Sequence, residues 1–235
     1  MFLILIQAEL FEPQNIQKFA DHLYAREDYA AALGEYRRYI FLADSGEQQI
    51  RERIVDCLTR LGRYNEAVAE AESFVDVNKR NFAVGLIYFT AGAMDSSRKY
   101  LESVDIPYDS DACRLIGLGY AYEFKFEEAA TYITLPAKTP SYKQPALGAL
   151  LSIVPGGGHF YAGRVGDGLY SFLVVGTAAL LSYYYYDRDE DIKFGFTLGA
   201  AILFYGGNIY GGINAVRNYN YHENEKYLQR ILHGE

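Results

Sequence analysis

Asp28-Tyr29-Ala30-Ala31-Ala32-Leu33, Arg63-Tyr64-Asn65-Glu66-Ala67-Val68 and Lys125-Phe126-Glu127-Glu128-Ala129-Ala130 are three versions of one hexapeptide. Each places an aromatic residue second and an alanine fifth. Aligned on that alanine, Ala32, Ala67 and Ala129 fall in register, and Ser97 of a degenerate copy stands between the last two. The spacings are 35, 30 and 32 residues. A period of this size marks a stack of small supersecondary units, none of which buries its apolar face alone.

The period resembles the tetratricopeptide repeat (TPR), whose two antiparallel helices meet at a small residue on the second helix. Other positions fit the resemblance: Gly62 and Gly92 fall in the turn between helices, Gly85 and Gly117 at the small position of the first helix, and Tyr88 and Tyr120 three residues beyond. Tyr39 and Phe74 are placed where the second helix ends. The resemblance covers residues 14 to 138 and implies a groove that takes a protein or peptide partner. By register on the first helices, Arg51, Asp56, Arg114 and Tyr122 are the candidate groove residues, and the alternative for each is a solvated surface position. The repeats show no Ser, His and Asp grouping and no His and carboxylate grouping of the kind that nucleophilic or metal chemistry needs. No enzyme activity, metal or cofactor is expected.

Beyond residue 143 the composition changes. The segment 144–235 holds 15 of the 22 glycines but only 6 of the 22 Lys and Arg and 8 of the 30 Asp and Glu. Gln144–Gly163, Gly168–Tyr186 and Phe194–Val216 carry no Asp, Glu, Lys or Arg over 20, 19 and 23 residues. Each is near the ~20 residues of a membrane-spanning helix. They are apolar or small all round, whereas a core helix in so small a protein is amphipathic. Tyr183 to Tyr186 stand where an aromatic belt would lie, beside the charged loop Asp187–Lys193. The pairs Gly195/Gly199 and Gly207/Gly211 have the four-residue spacing that lets helix backbones approach, within the chain or in an oligomer.

Pro155-Gly156-Gly157-Gly158 interrupts the first stretch, because proline and successive glycines oppose a continuing helix. That stretch is a broken span, a re-entrant helix or a helix lying in the interface. The run Pro155-Gly156-Gly157-Gly158-His159-Phe160-Tyr161-Ala162-Gly163-Arg164, with Gly166 and Gly168, resembles the core of TM2-type membrane domains, although Gly207 to Asn214 departs from their acidic ending. Taken whole, the chain resembles bacterial TPR-containing membrane proteins. The membrane motif residues are Pro155, Gly156, Gly158, His159, Tyr161, Gly163, Arg164, Asp167, Asn208 and Asn214. Ionisable groups at membrane depth are costly and tend to be functional. His159 and Arg164 therefore read either as a proton-relay or ligand pair, or as a helix cap and a snorkelling cation paired with Asp167. Asn208 and Asn214 are expected to bond between helices.

The formal charge of −8 has no basic patch set against it, which excludes a nucleic-acid partner. Cys57 and Cys113 lack paired spacing and are expected to be free. The apolar Phe2 to Ile6, with the small Ala8, is either the remnant of a signal peptide or an apolar first turn.

The expected fold class is all-α: a TPR-like helical solenoid followed by a small α-helical transmembrane domain. The expected parts are an apolar N-terminus at 1–13, about four helix pairs at 14–142, a membrane-embedded domain at 143–220 and a tail helix at 221–235. The expected function is a scaffold or assembly factor in a bacterial inner membrane, binding a membrane or envelope protein. The alternative is a lipid-binding, channel-like or transport element regulated by the repeats. Arg164, Arg217, Lys226 and Arg230 against the acidic loop place Gly163–Asp167 and the C-terminus in the cytoplasm. A crossing by Gln144–Gly163 would put the repeats in the periplasm, the expected side, and re-entry would keep them in the cytoplasm.

Overall fold

The computed structural model describes residues 12–43, 47–105 and 109–234, and the apolar terminus Met1–Ala8 lies outside them. Among the described residues the regular structure is α-helical throughout. Contacts divide the chain into two compact units, Met1–Leu135 and Pro136–Glu235. The boundary falls ahead of the residue 142 expected from composition.

The first unit holds α1 (Pro13–Ala25), α2 (Tyr29–Ala43), α3 (Gln48–Arg60), α4 (Tyr64–Ala71), α5 (Val77–Thr90), α6 (Met94–Leu101), α7 (Asp109–Tyr122) and α8 (Phe126–Ala129). Each packs on the next in sequence and α5 also meets α7, the contact order of a helical solenoid. One turn joins the two helices of every pair. Glu27, Gly62, Gly92 and Phe124 all adopt positive φ, at 62°, 72°, 77° and 59°. The next N–H then reaches back to the carbonyl of Leu23, Leu58, Tyr88 or Tyr120, at 3.0, 2.9, 2.9 and 2.9 Å. This left-handed close satisfies helix-end carbonyls. Glu27 and Phe124 hold it without glycine, at a cost of about 1–2 kcal/mol each.

Five residues past each turn stands the small residue that the sequence aligned. Ala32, Ala67 and Ala129 are fully buried, and so is Ser97 within 2%. The serine hydroxyl donates to Gly85 O at 2.8 Å, so the polar atom finds a partner on the facing helix. Gly85 and Gly117 are small for the same reason. A Cβ there would lie 2.6 Å from Leu101 Cγ and 2.7 Å from Ile133 Cγ2. The third and fourth copies also share a stacked pair, Tyr88 on Tyr100 and Tyr120 on Tyr132, at 5.7 and 5.9 Å. Between the pairs, Tyr36, Ile50, Ile54, Leu58 and Ile87 form the main core. Each such aliphatic side chain contributes about 1.5–3 kcal/mol by leaving water.

The second unit holds α9 (Pro145–Leu151), α10 (Gly157–Tyr161), α11 (Val165–Tyr186) and α12 (Asp191–His233). Its burial runs opposite to that of the first. Small and polar residues lie inside, with Ser152, Ala178, Ser182, Asn208 and Ala215 buried, while Leu180 and Leu203 are 72% and 75% exposed. α11 and α12 are long and apolar enough to cross a membrane, and only 17% and 6% of their apolar windows are buried. A core helix of a water-soluble domain would be mostly covered. α12 runs unbroken through 43 residues, so the expected separate tail helix at 221–235 is the polar end of this same helix.

Candidate functional site

In the first unit, α3 and α5 flank a groove of about 620 Å³. Val55, Phe82, Ala83, Leu86 and Ile87 give it an apolar floor. Its charged wall groups are paired: Glu52 with Lys79 across one end, and Asp56 with Arg60 at 3.1 Å. Asp56 also accepts a hydrogen bond from the Tyr24 hydroxyl. Burial first, and then that bond, raise the Tyr24 pKa and keep the hydroxyl a donor.

Of the four groove candidates, Asp56 lines this groove. Arg51 does not, because its guanidinium pairs with Glu70 at 2.6 Å and also reaches Ser73, clamping α3 to α4. Tyr122 packs edge-on against Phe89, joining α7 to α5, and Arg114 is exposed on α7. Arg98 went unnoticed in the sequence. It is 7% exposed, bonds Glu123 at 3.1 Å and lies 4.4 Å over the Tyr120 ring, tying the degenerate copy to the next.

In the second unit, α9 and α10 form a hairpin against α12. α9 descends along α12, with Lys143 bonded at Asn220, Gly148 against Val216 and Gly212, and the Ile153 carbonyl bonded by Tyr205 Oη at 3.1 Å. At Pro155–Gly156 the chain turns back. Gly156 sits at φ 85°, where a Cβ would lie 2.2 Å from Gly168 O. Asn208 satisfies both sides of the break: its Oδ1 accepts from Gly156 N–H at 2.7 Å and its Nδ2 donates to Ser152 O at 2.7 Å. A broken helix in an apolar medium needs such a partner, since each orphaned backbone group costs several kcal/mol.

α10 then returns toward its starting level. The Lys143 ammonium donates to Tyr161 O at 2.9 Å, and Gln144 N–H donates to Tyr161 Oη at 3.3 Å. Both ends of the hairpin therefore meet at one end of the unit. Three backbones cross at its centre: a Cβ on Gly158 would lie 2.5 Å from Gly148 O and 2.8 Å from Gly212 Cα, and 2.2 Å from Ser152 Oγ.

His159 is 8% exposed, packs on Gly211, and its Nδ1 has no hydrogen-bond partner. The break is held by Asn208, so His159 is not its cap. Gly163, at φ 86°, opens the turn into α11, where Arg164 pairs with Asp167 at 2.5 Å. Asn214 is half-buried, and the second asparagine of α12 that bonds a distant backbone is Asn220, which holds Lys143 just ahead of α9. Gly211 packs within the unit, whereas Gly195, Gly199 and Gly207 have open space where a Cβ would be. Both cysteines are free, Cys57 buried and Cys113 exposed.

No known protein family, curated protein or solved structure matches this chain.

Proposed function

We propose that the protein is a membrane-anchored scaffold of the TPR kind that holds a protein partner in the groove between α3 and α5. The observation that carries this reading is the groove itself. It is apolar at its floor and open, and its wall charges are already paired, so an apolar side of a peptide or helix enters without stranding a charge. The inside-out burial of the second unit supports lipid as its solvent.

The hairpin supports a side for the repeats. The α11 helix of 22 residues rises about 33 Å, enough to cross the hydrocarbon core, and α12 returns. The α9–α10 hairpin enters and leaves at one level, so it does not cross. With Arg164, Arg217 and Arg230 on the inner side, the repeats face the cytoplasm of a bacterial inner membrane, in place of the expected periplasm. The exposed Cys113 is a native reporter: it should resist a membrane-impermeant maleimide in intact cells and react after permeabilisation. Reaction in intact cells would reverse the topology.

A photo-crosslinking residue at Leu86, on the groove, tests the partner. It should capture one protein from native membranes, and Val55→Glu should abolish the product. A product that survives Val55→Glu, or none where a crosslinker at Lys99 succeeds, would put the contact elsewhere.

One observation favours the second reading, in which the membrane unit is the working part: the buried, unpartnered Nδ1 of His159. There His159→Gln should abolish the cellular phenotype while Val55→Glu leaves it intact.

A further inference from the structure

The segment Pro136–Gln144 lies along the polar end of α12 and is held there by a ladder of side chains on one helix face. Arg230 donates to Lys138 O at 3.3 Å, and Tyr227 to Pro136 O at 2.9 Å. Tyr142 donates to Asn224 Oδ1 at 2.6 Å. Asn220 then clamps the backbone of Lys143 twice, its Oδ1 accepting from the N–H and its Nδ2 donating to the carbonyl, each at 2.8 Å. This strap ends where the hairpin begins.

Lys143 is the node. Its ammonium caps the carbonyl of Tyr161, the last residue of α10, and stands 3.8 Å over the Tyr219 ring of α12 and 5.6 Å from that of Tyr161. A cation at the C-terminal end of a helix is favoured by the free carbonyls and the dipole, and an aromatic face adds to it. α10 has only five residues, far too few to persist on its own, and left-handed glycines flank it at Gly156 and Gly163. Asn208 of α12 fixes its first end, and Lys143 of the strap fixes its second.

We propose that the strap is a latch: its docking on α12 and the seating of α10 are one coupled state, so that lifting the strap releases the hairpin. The chain passes from the repeats into the membrane unit through this strap, which places the latch where a pull from the repeats would act. The proposal does not depend on what occupies the groove.

Hydrogen exchange of peptides covering α10, measured by mass spectrometry on the full chain in lipid nanodiscs, tests it. The relevant amides are those of Phe160 and Ala162, bonded to Gly156 O and Gly158 O at 3.0 and 3.1 Å. Lys143→Met keeps the aliphatic stem and should speed their exchange about tenfold. Tyr142→Phe and Asn224→Leu touch only the strap ladder, yet should speed it about threefold. Unchanged exchange in Lys143→Met overturns the latch. So does fast exchange in Lys143→Met with both strap variants at the parent rate, because that is a local cap without coupling. Should Lys143→Met fail to fold, Tyr142→Phe decides alone, since it removes one exposed hydroxyl.

Discussion

The turns Gly62-Arg63-Tyr64-Asn65-Glu66-Ala67 and Gly163-Arg164-Val165-Gly166-Asp167-Gly168 share one backbone and differ in what surrounds them. Gly62 and Gly163 stand at φ 72° and 86°. Arg63 N–H reaches Leu58 O and Arg164 N–H reaches His159 O, both at 2.9 Å, and the sixth residue closes on the arginine carbonyl at 3.0 Å in each. Each arginine pairs with the acid three residues on, at 2.6 and 2.5 Å. The divergence is at the sixth position. Ala67 buries its methyl in the core, whereas a Cβ on Gly168 would meet the Phe160 ring at 2.6 Å. The turn is a backbone device that serves with either kind of packing around it. Packing is not: in the repeats apolar side chains gather inside, while in the second unit most large ones, apart from Val175, Val216, Tyr227 and Leu228, stay outside and close backbone contact does much of the joining.

This contrast predicts where each unit is brittle. Gly158→Ala puts a methyl into the three-backbone crossing and should cost about 3 kcal/mol or more, read as loss of the folded form in reversible SDS unfolding. A parent-like curve would mean the crossing is loose. Asn208→Leu strands Gly156 N–H and Ser152 O together and should cost about 2–4 kcal/mol in the same assay.

In the repeats the sensitive point is burial of a thiol. Burial above all, with Asp56 adding to it, lifts Cys57 from an ordinary value of 9.0 to about 11. The folded chain thus keeps its proton where the unfolded chain has lost it. The stabilisation is whole below pH 9 and disappears as pH rises toward 11. Cys57→Ala should lessen the alkaline loss by about 1–2 kcal/mol relative to the parent in urea titrations at pH 8 and pH 10.5. The smallest effect belongs to Ser97→Ala. It exchanges the one odd residue of the small column for its common form, and should change stability by less than about 1 kcal/mol.

The small column was legible because a period needs no knowledge of contacts: Ala32, Ala67, Ser97 and Ala129 are all buried as their alignment required. Asn208 was legible as a polar residue in an apolar run, and its place at the break was not, since that depends on which way the chain turns after Gly156. Two partners lay beyond the reach of the pattern for a common reason. Arg51 fell on a groove register but pairs with Glu70, and Asn220, which no motif marks, holds Lys143. Periodicity assigns a face, and long polar side chains then choose partners within reach of that face. The tail at 221–235 was expected as a separate helix, but helix continuity depends only on unbroken backbone bonding, and that bonding runs through Tyr221.

The 43-residue length of α12 has a mechanical consequence. A rod of about 65 Å with no joint carries torsion from end to end. One residue inserted near Arg217 would turn everything beyond it by about 100°. Asn220, Asn224 and Tyr227 would then point away from the face they serve, while Asn208 and Gly212 kept theirs. The helix thus works as a shaft whose two ends stay in phase only at its present residue count.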